Sequence, residues 1–522
     1  MSAVVTDQFR ISNAGNFVDS VLDTNNAYYV FLGLSNPTTP NPGFGRTDTW
    51  NALPPNPIDN LNHEWNYGDT SLFGKKINGA NVRRVVKKVE WKTNTAYDMY
   101  RQDYSIHNPS PISKSSRLYD SNYFVVNSEY NVYICINNGS SGSGDSLVTT
   151  KSKDEPTFTD LEPSAAGTSG DGYVWKYLFS ITPSDIVKFD STEYIVVPNN
   201  WVTTTDTIIQ NVREAGDSTI NFNQIKTVYI KNAGDGYSND TYSCDILGDG
   251  TGGKVSVTIS EGRVTSTVVT AGGSGYTYGM VDLQAARKPG QASYAELLVV
   301  IPPSRGHGYD IYKELGADKV LMYARFDDST KDFPIDTKFA QIGVVKNPST
   351  YASRNTIFTG DEYSSVGALK LTSELDATPT IGSKITQVLS SGDTAKAYIT
   401  SYDKTTQVIK YYQDRSLYYN QVTGTYTDYV GVSTEAKTLS FDGTNSIKFA
   451  GGTPSDGTVD TAFTGRIVVS DNREIDLGVY FTNGLADPEI NKTTGDILYI
   501  DNREEVTRNL RQKEDIKIIL EF

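Results

Sequence analysis

Cysteine and histidine are scarce in this chain, with 2 and 3 residues respectively in 522. Cys135 and Cys244 stand far apart, which excludes a disulfide framework and a cysteine-based zinc site. Such sparse cysteine usage fits folding in a reducing cytoplasm. His63, His107 and His307 have no second histidine at metal-ligand spacing, and neither His-Glu-x-x-His nor Gly-x-Ser-x-Gly occurs. Positive charge is also short: 47 Lys and Arg stand against 62 Asp and Glu, for a net charge of -15 and a pI near 4.8. A protein that grips phosphate backbones is usually basic, so no nucleic acid partner is expected. No apolar run reaches the roughly 18 residues that a spanning helix needs, and no membrane insertion is expected. The start, Met1 to Asp7, has neither a basic stretch nor an apolar one, so no secretory signal is expected.

What is abundant is tyrosine, 34 residues, with 44 Gly and 20 Pro. Aromatics reach 11%, too many for a disordered chain, while hydrophobic residues stay at 37%. The length allows three or four domains. Together these describe a mainly β protein, all-β to α+β with a few short helices, built as several sheets or sandwiches.

The local patterns agree. Phe17, Val18, Val21 and Leu22 have helical spacing behind a cap at Ser12 or Asn13. Ala27 to Leu32 reads as a buried strand. Residues 36–57, rich in Pro, Asn and Thr, read as an ordered but irregular arm. Val82, Val85, Val86 and Val89 fall at i, i+3, i+4 and i+7, which predicts a short helix with a solvated basic side. Residues 122–136 contain two strand-like runs separated by Asn-Ser-Glu, and residues 137–172 read as a long loop. A glycine turn then feeds a strand that is bulky on both faces, Tyr173 to Phe179. Thr182 followed by Pro183 starts a short helix, and Glu193 to Pro198 is a further strand. Residues 206–290 hold a repeat at a spacing of 39: Ala233-Gly234-Asp235-Gly236-Tyr237-Ser238 aligns with Gly272-Gly273-Ser274-Gly275-Tyr276-Thr277. Glycine supplies the corners and tyrosine plugs a compact all-β insert. Residues 355–485, rich in short alternating runs, read as a second β insert. The last residues, Asp515 to Phe522, alternate and should be tied into a sheet.

Candidate chemistry is thin. His307 lies between Gly306 and Gly308, where a turn explains the glycines. Gly248 to Lys254 has phosphate-loop spacing, but Val255 replaces the hydroxyl residue and a strand follows instead of a helix. It reads as a β-turn. Asp235, Asp245 and Asp249 lack the regular ligand spacing of a calcium loop. The pairs Asp327-Asp328 and Glu504-Glu505 lie in polar segments and read as solvated. No catalytic, cofactor-binding or metal residue is singled out, and no cofactor is expected.

Several segments nevertheless share a pattern. Gly170 to Phe179 (GDGYVWKYLF), followed some fourteen residues later by Glu193 to Pro198 (EYIVVP), resembles the baseplate wedge subunit of contractile-tailed phages, the gene-eight product of the T-even phages. Phe339 to Pro348 resembles that family's strand ending in Asn-Pro. Gly495 to Arg503, Glu514 to Ile516 and Phe522 resemble its C-terminal end. Phe9 to Phe31 is a weaker match, and Gly306 to Ala317 (GHGYDIYKELGA) is similar to longer members from phages of cyanobacteria. The resemblance covers residues 1–205, about 291–350 and 486–522. It implies a wedge core in three parts, 1–205, 291–354 and 486–522, interrupted by the inserts 206–290 and 355–485. It also implies a structural, non-enzymatic role in the virion tail baseplate after assembly in the host cytoplasm. The partners it implies are a second copy, as a homodimer, and the other wedge proteins. A rigid-body shift when the baseplate opens is the expected mechanism. The chief alternative is a receptor-binding or fibre-tip adhesin. A secreted β-sandwich glycosidase would need the signal that is lacking.

Overall fold

A computed structural model describes residues 3–35, 50–142, 147–217, 224–289, 291, 293–327, 338–413, 417–420, 425–428, 439–469, 473–476, 480–508 and 512–522. Strands dominate, joined almost throughout by antiparallel pairing, and the helices are short. The mainly β class is therefore the one that forms. The chain makes two compact units: residues 1–18, 83–321 and 519–522 form one, and residues 19–82 and 322–518 form the other. No helix among the described residues is long and apolar enough to cross a membrane.

In the first unit the hairpin of Phe124–Val126 and Asn131–Asn138 forms where two apolar runs flank Asn-Ser-Glu. Tyr173–Ser180 adds to its other side, with Lys176 opposite Ile134. Both faces of that third strand are buried, which suits its bulky sequence. Tyr173 and Trp175 stack at 5.6 Å, and Tyr97 meets Trp175 edge-on at 5.8 Å. The helix Pro183–Phe189 starts at the expected cap, where Thr182 Oγ1 accepts from Asp185 N at 3.3 Å. Phe522 N donates to Asp318 O at 3.1 Å, so the C-terminal strand Glu514–Glu521 is tied down at its end.

Three sequence expectations need correction here. Val82–Lys87 is a strand and not a helix, paired with Tyr194–Val197 so that Val85 faces Val196 and Val86 faces Ile195. The valine spacing fits either element over so short a run. The β-branched side chains and the partner strand decide for the sheet. The 206–290 segment is not wholly β, because Thr207–Gly216 is an amphipathic helix capped by Asp206, whose Oδ1 accepts from Ile208 N at 2.8 Å. The N-terminal helix also runs longer than its expected cap, over Asp7–Leu22, burying Ile11, Ala14, Val18 and Val21 along one stripe.

Past that helix, Asp240–Gly248, Thr251–Ser260 and Arg263–Ser274 form a meander, with Gly279–Val281 on its far side. Val228–Asn232 pairs with Glu296–Val299. One core joins them all, including Cys244, Ile246, Val255, Val257, Ile259 and Val299.

The second unit holds a five-stranded sheet in the order Glu362–Ser364, Ser71–Ile77, Tyr28–Gly33, Lys338–Lys346, Asp496–Thr507. Tyr28–Gly33 is buried throughout, as its apolar run predicts. One row across this sheet alternates large and small: Tyr363, Gly74, Phe31, Gly343, Ile500. The rings of Tyr363 and Phe31 lie over Gly74 and Gly343, where an added Cβ would come within 2.2 and 2.3 Å of them. A second, six-stranded sheet joins Ile447–Phe449, Lys384–Val388, Thr394–Asp403, Val408–Tyr412, Gly367–Lys370 and Leu485–Ala486 around Leu369, Ile385, Ile399 and Ile409. Of the arm read at 36–57, residues 36–49 lie outside the described residues, and 50–57 form neither helix nor strand.

Candidate functional site

Within the first unit the turn at 306–309 and the helix Ile311–Leu315 form a chemically dense junction. Gly306 and Gly308 take φ of 97° and 90°, backbone that favours glycine. Asp310 caps the helix, accepting from Lys313 N at 3.2 Å, and Gly316 ends it at φ 70°. The fold thereby brings His307 Nδ1 to 2.5 Å from Glu314 Oε1, while Glu314 Oε2 accepts from Gly308 N at 2.6 Å. Both side chains are sealed from solvent, at 3% and 1% residual exposure. The imidazole edge meets the Tyr100 ring at 4.8 Å, and Tyr123 donates its hydroxyl proton to the Glu314 carbonyl.

The neighbouring segments converge on this turn. Lys176, at the centre of the GDGYVWKYLF strand, is buried beside it and donates to Leu161 O at 2.6 Å. Burial pulls the Lys176 ammonium down to about 8, against the opposing pull of Glu314 and Glu162. Tyr312 donates to Pro198 O at 2.6 Å, anchoring the end of EYIVVP. Trp201 Nε1 donates to Gly308 O and Tyr309 O, each at 3.1 Å. The Arg84 guanidinium sits 3.6 Å from the centre of the Tyr312 ring. Three resembling segments, distant in sequence, are thus fastened at one place. Cross-bonded around the buried His307 and Glu314, the arrangement acts as a brace.

The turn expected at His307 is present. Its pairing with Glu314 was missed, although the two stand seven residues apart across one capped turn. Lys176 was missed because nothing local marks a buried lysine. His107 is exposed, while the side chain of His63 lies outside the described residues.

The basic run is consumed internally. Arg83 pairs with Asp185 at 3.0 Å, and Lys88 pairs with Asp190 at 2.9 Å. Lys87 donates to Asp120 O and Ser121 O, and burial brings it down to about 8. Gly248 to Lys254 is a hairpin turn running into a strand, as read. Asp249 accepts from Thr277 N at 2.9 Å, and Asp245 pairs with Lys254 at 2.6 Å. No group of three or more His, Cys, Asp or Glu gathers in metal-holding geometry among the described residues. Glu505 is a correction: it is mostly buried and pairs with Lys338 at 2.8 Å, so it is not solvated. Asp328 of the other carboxylate pair lies outside the described residues.

In the repeat, Gly234 and Gly236 take φ of 64° and 82°, and Gly273 and Gly275 take 58° and 78°. Tyr237 and Tyr276 plug the same core, each 2% exposed. Tyr237 OH accepts from Ala295 N at 2.8 Å. Tyr276 OH accepts from Gly253 N at 3.0 Å and donates to Ile246 O at 2.9 Å.

Comparison with known proteins places this geometry. The family model described as "Bacteriophage T4, Gp8" matches residues 3–235. The "Baseplate wedge protein gp8" of Enterobacteria phage T4 is 25% identical over 222 residues, which is 38% of this chain and 60% of the relative. The match contains the GDGYVWKYLF and EYIVVP segments and Lys176. It runs through the helix Thr207–Gly216 and stops within the repeat region. Gly306 to Ala317, Phe339 to Pro348 and the C-terminal segments lie beyond it.

Proposed function

We propose that this chain is a structural subunit of a phage tail baseplate wedge, carried in the virion and assembled in the host cytoplasm. The observation that carries the reading is the family match across residues 3–235, with its counterpart in a baseplate wedge protein of T4. The work it performs is scaffolding and not catalysis. It acts as a homodimer that links neighbouring wedge proteins and shifts as a rigid body when the baseplate opens. The cross-bonded brace at 306–316 supports this, because rigid parts transmit displacement without deforming. The wedge core is interrupted by two β modules. In support, the residues between Ile225 and Ile301 share one core, and those between Leu369 and Val459 share another.

Antibody labelling of intact virions, imaged by negative-stain microscopy, tests the assignment. Label around the tail end with six-fold distribution is expected. Label at fibre tips would transfer the chain to the adhesins. If intact particles stay unlabelled, dissociated tails are probed, and their failure to label would overturn the reading. Sedimentation of the purified chain tests the dimer, which should show about twice 57.3 kDa.

A further inference from the structure

We propose that a small cavity in the second unit, beside the strand Tyr28–Gly33, is a binding site for an aliphatic group of about three or four heavy atoms bearing one hydrogen-bonding atom. That is the chemistry of a short branched alcohol or of a threonine side chain. The cavity measures about 70 Å³. This is several times what one water needs and less than the ~150 Å³ that admits benzene. Its walls are Phe31, Val345, Tyr363 and Ile490, all buried in one core cluster, with Ile497 packed against them. One polar atom interrupts them. Ser71 lines the cavity at 4% exposure, and its hydroxyl is buried with no hydrogen-bond partner among the described residues. The Tyr363 hydroxyl lies near it without forming a well-aligned bond, and burial holds that phenol protonated far above its ordinary range. An unmatched hydroxyl in an apolar space is costly, and an occupant that supplies one polar atom removes the cost. A single water would satisfy Ser71 but leave most of the apolar wall without contacts.

The site is built in advance of any occupant. On its rim, Thr494 Oγ1 donates to Asn491 O at 2.7 Å and accepts from Ser349 N at 2.9 Å, which fastens the 491–495 turn to a separate segment. On the opposite side, Gly68 lets the helix Leu61–Thr70 close onto Lys492 O, where an added Cβ would come within 2.2 Å. Within the wall, Tyr29 meets the Tyr363 ring edge-on at 5.2 Å, and Tyr29 is itself held by hydrogen bonds to Phe358 O and Gly360 O. Binding to walls fixed in this way costs little ordering of the protein.

Methyl NMR of the full chain tests the site, with 2-propanol and N-acetyl-threonine methylamide as separate probes. 2-Propanol should move the Val345, Ile490 and Ile497 methyl signals saturably, with half-saturation below about 0.1 M, above the linear drift that bulk solvent causes at every methyl. Ser71→Ala keeps the cavity and removes the hydroxyl, and should raise that half-saturation about fivefold. Ser71→Leu fills the space and should abolish the response. Saturation by 2-propanol alone supports the site and assigns it to free small molecules. Saturation by the threonine derivative, with or without 2-propanol, supports it and assigns it to a side chain of a protein partner. Purely linear shifts with both probes, or an undiminished response in Ser71→Leu, overturn the proposal. Should Ser71→Leu fail to fold, Ser71→Ala decides, and a half-saturation unchanged there would refute the site as described.

Discussion

Lys176 shows what burial does to a single charge. Its ammonium is sealed, so the folded state binds that proton less tightly than the unfolded chain does, with a value lowered from 10.5 to about 8. Between those two values the unfolded chain holds more protons, so stability rises with pH across that window. Below about 8 the full cost of keeping the charge buried is present. Urea unfolding at pH 7.5 and 10.5 should therefore show the wild-type chain gaining about 3 kcal/mol relative to Lys176→Met. An unchanged difference would mean that the ammonium is better solvated than the geometry implies. Tyr276 gives a second test. Its hydroxyl serves both Gly253 N and Ile246 O inside a core, so Tyr276→Phe leaves two buried groups without that partner. A loss of about 1–3 kcal/mol is expected in equilibrium unfolding, with faster exchange at the Gly253 amide.

Among the elements, the five-stranded sheet depends on a size alternation that no single strand contains. Gly343 lies under Phe31, and Gly74 lies under Tyr363. Phe31 and Tyr363 are each 1% exposed. Gly343→Ala should therefore cost about 1–3 kcal/mol through overpacking, read from the urea midpoint. Gly382→Ala meets no atom within 4 Å and serves as the comparison for a glycine whose constraint is backbone conformation alone. The valine-rich strand Val82–Lys87 carries a related lesson. Its spacing reads as a helix, yet the strand Tyr194–Val197 offers pairing that an isolated helix of that length cannot match. Its cations Arg83, Arg84 and Lys87, with Lys88 just beyond it, then find partners in the fold, which explains a basic run in an acidic protein without an anionic ligand.

For the whole molecule, the division into two compact units predicts that unfolding is not one all-or-none event. Differential scanning calorimetry should show more than one transition, with a calorimetric enthalpy above the van't Hoff value. A single two-state transition would mean that the units melt together. The two β modules belong to different units, so their ordered melting should follow that division.

Composition and local pattern by themselves determined the mainly β class, the buried strand at Tyr28–Gly33, the hairpin at Phe124–Asn138, the Thr182 cap and the glycine–tyrosine repeat. Each rests on interactions between near neighbours or on the fixed conformational needs of glycine and proline. The quoted segments also carried the likeness to the wedge family. Tertiary structure alone decided that Val82–Lys87 is a strand, that the Glu505 side chain is mostly buried against Lys338, that His307 pairs with Glu314, and that Lys176 packs beside Gly308 of the same turn. Those outcomes depend on partners up to 167 residues away in the chain. Pairing, burial and charge balance at such distances are set by the packed fold, and periodicity within one segment does not record them.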